Sequence, residues 1–271
     1  MSAPAPTVSA ELRALLRRLR LGQLLDTLPE RLALAKAHSL SHHDFLEQLC
    51  ADEVQRRDAT SAGVRARAAR LDPQMVLEAF DETAKITYDH AVLSELVSLR
   101  FVDEARNAFI LGPTGVGKTF LATALGHAAC RRRISVHFER ADRLHKRLKA
   151  ARLDQSHEAE LRKLIGVELL ILDDLCLQAL DATETADLYE LIVERHHRAA
   201  TVVTSNRSPD EWLALMADPM LAQSAVDRLQ SAAYELVIEG ESYRRREKPA
   251  VASSAEEPAR GRPARRGRPR P

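Results

Sequence analysis

The chain has 271 residues, 45% of them apolar and 29% charged, with a formal net charge of +1. That length allows one large domain or a medium domain with a smaller companion, and the apolar share is enough for a core. No run of about 18 apolar residues is present, so a membrane span is not expected. The N-terminus, MSAPAPTVSAELRALLRRLR, lacks a continuous apolar signal core, so the expected location is cytoplasmic. Cys50, Cys130 and Cys176 form no CxxC pair and read as free thiols of a reducing compartment. The ten histidines show no zinc spacing beside cysteines.

Taken in chain order, residues 9–100 read as almost wholly helical. Leu12, Leu15, Leu16 and Leu19 recur at helical spacing with arginines between them. Ser41 with Asp44 resembles a capping box opening a helix that carries Phe45, Leu46, Leu49 and Val54. Leu93, Leu96 and Val97 suggest a further helix, and Gly63 and Pro73 mark joints. From about residue 106 short apolar runs alternate with longer amphipathic stretches. AFIL at 108–111, ISVHF at 134–138, ELLIL at 168–172 and TVVTS at 201–205 read as buried strands, with ELVIE at 235–239 as a late one. Helices are expected over 118–131, 141–164 and 183–199. This alternation predicts an α/β fold, a parallel sheet flanked by helices. After residue 247 the chain is rich in Pro, Ala, Arg and Gly, which predicts disorder.

GPTGVGKT at 112–119 fits the full G-x-x-x-x-G-K-[ST] pattern. Gly112, Gly115 and Gly117 let the backbone bend tightly, and the residues between them, Pro113, Thr114 and Val116, complete a loop whose N–H groups face an anion. Lys118 can reach the β- and γ-phosphates of ATP, and Thr119 can offer its hydroxyl to Mg²⁺. ELLILDDL at 168–175 is an apolar strand ending in acid. There Asp173 would hold the Mg²⁺ shell and Asp174 would orient or deprotonate a water. Asn206, ending TVVTSN, is either a water-positioning amide near the γ-phosphate or a turn residue.

FILGPTGVGKTFLATALG, LLILDDL and VVTSN together resemble the IstB-like ATP-binding helpers of insertion-sequence transposons, which are AAA+ ATPases related to DnaC-type helicase loaders. The likeness extends to FLEQLCADEVQRRD, RARAARL, VDRL and ESYR and so spans about residues 9–246. It implies an AAA+ sheet in which the P-loop strand neighbours the Asn206 strand. It also implies ATP-dependent assembly on double-stranded DNA and cooperation with a transposase. Asn206 then matches the sensor 1 position. Arg228, in AVDRLQ, matches the arginine finger that reaches a neighbour's γ-phosphate in a homo-oligomer; outside the resemblance it is an ordinary exposed helix arginine. Two features depart from the wider group: the Asp-Asp end of the acidic strand and the absence of a separate C-terminal lid. A replicative helicase loader, or a nucleotide-gated DNA-binding adaptor with negligible hydrolysis, are the alternatives.

For domains, the reading is a disordered 1–8, an N-terminal helical domain at 9–75 meeting DNA or transposase, an ATPase domain at 76–246, and a basic tail at 247–271. Two stretches are candidates for DNA. Residues 139–153 carry Arg140, Arg143, Lys146, Arg147 and Lys149 on a helix held down by Leu144 and Leu148, which suits phosphate contacts or simply a solvated face. The tail repeats RGRP, with Arg260, Arg262, Arg266 and Arg268, and resembles the AT-hook core that enters A·T-rich minor grooves; a solubilising basic tail is the plainer reading.

Overall fold

The computed structural model describes residues 8–80 and 86–243. The RGRP tail lies outside these residues. Helix α1 (Ala10–Arg18) starts at Ser9, whose side chain accepts a hydrogen bond from the Leu12 amide. Helices α2 (Leu24–Ala37) and α3 (His42–Ala68) follow. Ser41 accepts from the Asp44 amide at 3.1 Å, pairing one of the N–H groups a helix start leaves open. The three helices enclose a small core of Leu16, Leu24, Leu28 and Leu49. The predicted stripe is only partly inside: Leu12, Leu15, Leu19, Leu46 and Val54 are exposed. Gly63 is not a joint, because α3 runs through it for 27 residues. One helical glycine costs only about 1 kcal/mol, too little to break a helix of that length. The chain instead leaves the helix at Ala69 and Arg70, ahead of Pro73, with Arg70 at φ 64°.

Beyond a turn of 3-10 helix at Leu77–Ala79 come β1 (Ile86–Thr87), α4 (His90–Ser98) and α5 (Arg100–Asp103). The remaining elements are β2 (Ala108–Leu111), α6 (Lys118–Arg131), β3 (Val136–Arg140), α7 (Ala141–Leu153), α8 (His157–Ile165), β4 (Leu169–Asp173), α9 (Ala182–Arg195), β5 (Ala200–Ser205), α10 (Pro209–Leu213), α11 (Pro219–Gln230), β6 (Tyr234–Val237) and β7 (Glu239–Gly240). The main sheet has the order β3-β4-β5-β2-β6, with every pair parallel. Parallel neighbours need crossovers, which the helices supply. Strands β2, β4 and β5 are buried at every position, which is why they read as unbroken apolar runs. One face packs Leu121, Ala122, Leu125 and Ala129 of α6 against Ile110, Ile171 and Val202. The other packs Leu144, Leu148, Leu188 and Leu191 against Phe109, Leu170 and Val203.

Several boundaries differ from the sequence reading: β4 and β5 by one residue, and β6, which ends at Val237 rather than 239, by two. Strand β3 begins and ends two residues later than expected, so Arg140 closes a strand rather than opening a helix. The expected helix over 141–164 is two helices, because Asp154 accepts hydrogen bonds from the Ser156 amide and hydroxyl while Gln155 takes φ 62°. Such a side chain offers the backbone a turn in place of the helix ladder. Helix α9 stops at Arg195, short of 199, where His197 turns to φ 57°. The N-terminal helices are fastened to the edge of the sheet: the Phe138 amide donates to the Ala69 carbonyl at 3.0 Å, and Arg70 pairs with buried Glu139.

Candidate nucleotide site

All five strands of the main sheet are parallel, so their C-terminal ends share one edge, the usual place for ligands in such sheets. The loop from Gly112 to Gly117 leaves β2 at that edge and turns directly into α6, whose first residue is Lys118. Gly112, Gly115 and Gly117 have φ of 145°, 89° and 97°, conformations that L side chains rarely adopt. At Gly112 a Cβ would also lie 2.1 Å from the Ile238 carbonyl oxygen. Lys118 is buried, and its ammonium donates to the Gly112 and Pro113 carbonyls at 2.8 Å each and to Asn206 Oδ1 at 2.6 Å. The Asn206 amide donates in turn to Thr114 Oγ1 at 3.1 Å. Pairing of β2 with β5 places Leu111 beside Ser205, which delivers Asn206 to the loop.

The acidic pair ends β4 next door. Asp173 Oδ1 accepts from Thr119 Oγ1 at 2.8 Å and from Thr204 Oγ1 at 2.6 Å. Burial pushes the Asp173 carboxyl up from its ordinary range; these two hydrogen bonds only partly offset it. Oxygen donors from a hydroxyl and a buried carboxylate are the donor set a hard divalent cation takes, so Thr119 and Asp173 fit Mg²⁺. Asp174 has φ 57°; its amide is held by Thr204 Oγ1, and its carboxylate lies 3.8 Å from the Arg140 guanidinium. The strained turn swings Asp174 out of the sheet line while Asp173 stays within it.

These groups meet in a cleft of about 570 Å³, lined by the loop residues Thr114–Phe120 together with Arg140, Asp174 and Asn206. Met75, Ala79, Phe80 and Ile86 make an apolar wall, and Glu241 and Tyr243 complete it. Sequence reading singled out none of these six. Only the presence of ESYR near the chain's end hinted at the last two. Phe80 packs against Phe120 at a tilt, with ring centroids 5.7 Å apart.

The chain matches the family of IstB-like ATP binding proteins over residues 14–251. It belongs to that family. It is 37% identical over 244 residues to a protein named as an ATP-binding protein in an insertion sequence of Mycobacterium tuberculosis, covering 90% of this chain and 97% of that one. It is 36% identical over 236 residues to a protein named likewise in Sinorhizobium fredii, covering 87% and 95%. A solved structure of DnaI aligns with a TM-score of 0.52 at 22% identity, over 63% of this chain and 93% of DnaI. That likeness is one of fold: the parallel sheet flanked by helices is shared with DnaI. ATP binding is therefore a property of the family, and the cleft is where this IstB-like chain carries the corresponding motifs.

The other predicted residues of the IstB-like chain are distributed differently. Arg228, on α11, is not in the cleft. Its backbone carbonyl accepts from Asn107, which precedes β2, so Arg228 sits near the strand starts, the pole opposite the P-loop. Its guanidinium holds Ser224. Along the basic stretch, Arg140 faces the cleft, Arg147 is paired with Glu139 and Glu160, and Lys149 with Asp181 and Glu184. Arg143 and Lys146 are exposed. The expected five-residue basic face thus presents two members outward, because acidic neighbours engage the rest, some nearby in sequence (Glu139, Asp142) and some distant (Glu160, Asp174, Asp181, Glu184). Among the described residues no helix is long and apolar enough to cross a membrane.

Proposed function

We propose that this chain is an ATPase that assembles on double-stranded DNA with ATP bound and assists a transposase in insertion-sequence transposition. The observation that carries the reading is the convergence of Lys118, Thr119, Asp173, Asp174 and Asn206 on one cleft, against Arg228 at the opposite pole. Lys118 would leave the Gly112 and Pro113 carbonyls for the β- and γ-phosphates. Thr119 and Asp173 would hold Mg²⁺, which neutralises charge developing on the phosphates. Asp174 would take a proton from the attacking water or orient it, and Asn206 would fix its place. An arginine so far from its own cleft can act on a nucleotide only in a second copy, which would make hydrolysis depend on assembly. Relatives named for insertion sequences support a transposase as partner. The Asp-Asp end of β4 keeps a second reading open, an adaptor that binds ATP and DNA with negligible hydrolysis.

ATP turnover with and without duplex DNA separates the two, using wild type, Lys118→Ala, Asp174→Asn and Arg228→Ala. Loss of Lys118 should weaken ATP binding about tenfold to a hundredfold, the worth of charge-assisted hydrogen bonds to phosphate. Asp174→Asn should bind ATP and fail to turn it over. Arg228→Ala should keep ATP affinity, lose DNA-stimulated turnover, and run as a smaller species on sizing columns with ATP. Wild-type turnover that stays at the background level of Lys118→Ala and Asp174→Asn, with and without DNA, would support the adaptor instead.

A further inference from the structure

One acidic side chain in the cleft wall has no role in the phosphate chemistry. Glu241 lines the cavity, is exposed, and has no ion pair or hydrogen bond to another side chain among the described residues. Its backbone is held on both sides. Gly240, before it, pairs with Ile86 in the β1–β7 ladder, and Ile86 belongs to the apolar wall with Met75, Ala79 and Phe80. Ser242, after it, packs on the phosphate loop so closely that a Cβ on Gly115 would lie 2.1 Å from Ser242 Oγ. The Tyr243 amide then donates to the Gly115 carbonyl at 2.8 Å. Glu241 is therefore one residue from the wall suited to a base and one residue from the loop suited to phosphates. In a nucleotide the group between base and phosphates is the ribose. A carboxylate only accepts hydrogen bonds and ribose hydroxyls donate them, a pairing that nucleotide folds use elsewhere.

We propose that the Glu241 carboxylate accepts a hydrogen bond from a ribose hydroxyl of the bound nucleotide and makes the site selective for ribonucleotides. This rests on the cleft being the ATP site. No lid domain is needed for the contact, because the chain's own last described strand carries Glu241 over the loop.

The test is equilibrium competition on the full chain against an ATP analogue labelled at its γ-phosphate, so that the sugar is unmodified. ATP, 2′-deoxyATP, 3′-deoxyATP and purine riboside triphosphate are compared in wild type, Glu241→Gln and Glu241→Ala. Wild type should prefer ATP to at least one deoxynucleotide by about tenfold, as for an exposed hydrogen bond to a charged group. Glu241→Ala should bring that ratio to within about twofold, and Glu241→Gln, which keeps an acceptor oxygen without the charge, to a smaller preference than wild type, in each case by weakening ATP and leaving the deoxynucleotide unchanged. Equal binding of ATP and both deoxynucleotides by wild type overturns the proposal, as does a preference that survives in both variants. Variants that lose only discrimination against purine riboside triphosphate would place the contact on the base's amino group and overturn it too. Failure of wild type to bind ATP at all would instead bring down the ATP-site reading itself.

Discussion

Glu139 is a buried carboxylate on β3, surrounded by Arg147, His137 and Arg70. Burial alone would raise its pKa. Hydrogen bonds from His137 and Arg147, with the Arg147 charge, outweigh burial and hold it at about 2 against an ordinary 4.5. A carboxyl depressed by folding contributes stability that is complete above its unfolded pKa and fades as pH falls toward its folded one. The window is therefore roughly pH 5 to 2, and the contribution is on the order of 3 kcal/mol. Glu139→Gln should be less stable at pH 7 and should lose less stability than wild type on acidification through that window. Urea unfolding followed by the emission of Trp212 reads this directly, since it is the single tryptophan and is fully buried. Equal acid slopes in the two proteins would show that the cluster does not act on the carboxyl as described.

Two glycines show how the same residue type does opposite work in different elements. Gly112 follows β2 at φ 145°, with the Ile238 carbonyl where a side chain would go. Gly63 lies in the middle of α3, where a Cβ would meet nothing within 4 Å. Gly112→Ala should destabilise by about 2 kcal/mol or more through strain and backbone clash, and should abolish tight ATP binding. Gly63→Ala should stabilise by about 0.5–1 kcal/mol, because the unfolded chain loses freedom that the helix never uses. Thermal melting of the two variants should move in opposite directions. The end of β5 is braced in a similar element-specific way: Ser205 Oγ donates to the Leu175 carbonyl and accepts from the Trp212 indole. That bond ties α10 to the turn carrying Asp174 and so steadies the acidic pair beside the P-loop.

At the scale of the whole molecule a net charge of +1 conceals strong local bias. Much of the positive charge among the described residues is spent internally, as Arg56 and Arg57 on Glu53 and Arg147 on Glu139 illustrate. The arginines of residues 260–270 have few acidic neighbours in sequence, so on the proposed DNA-binding reading the tail would be the larger reserve for phosphates. Truncation after Pro249 should weaken duplex binding and make its dependence on salt less steep, since each neutralised phosphate adds close to one unit to that slope. Binding curves at several salt concentrations test this; unchanged slope and affinity would shift the candidate DNA contact to exposed Arg143 and Lys146 of α7.

Much of this architecture was legible in residue order. Each central strand is an apolar run buried on both faces, and GPTGVGKT needs positive φ at its glycines wherever it occurs. The resemblance also foretold the pairing of the P-loop strand with the Asn206 strand. What was not legible depends on partners far apart in the chain. Arg147 and Lys149 look free in sequence because Glu160, Asp181 and Glu184 reach them only after α7, α8 and α9 pack. The break at Asp154–Ser156 hides inside a helical pattern because one side-chain turn decides it. The sequence by itself determined that a phosphate-loop motif and an acidic strand end exist, because each is a local conformation set by its own few residues; it left Asn206 open between a water-positioning amide and a turn residue. Only the tertiary structure decided that Glu241 and Tyr243 share the cleft, that Arg140 faces it and that Arg228 stands at the opposite pole. The reason is strand order: β6 lies against β2, and hydrogen bonds between residues more than a hundred positions apart set what faces the cleft.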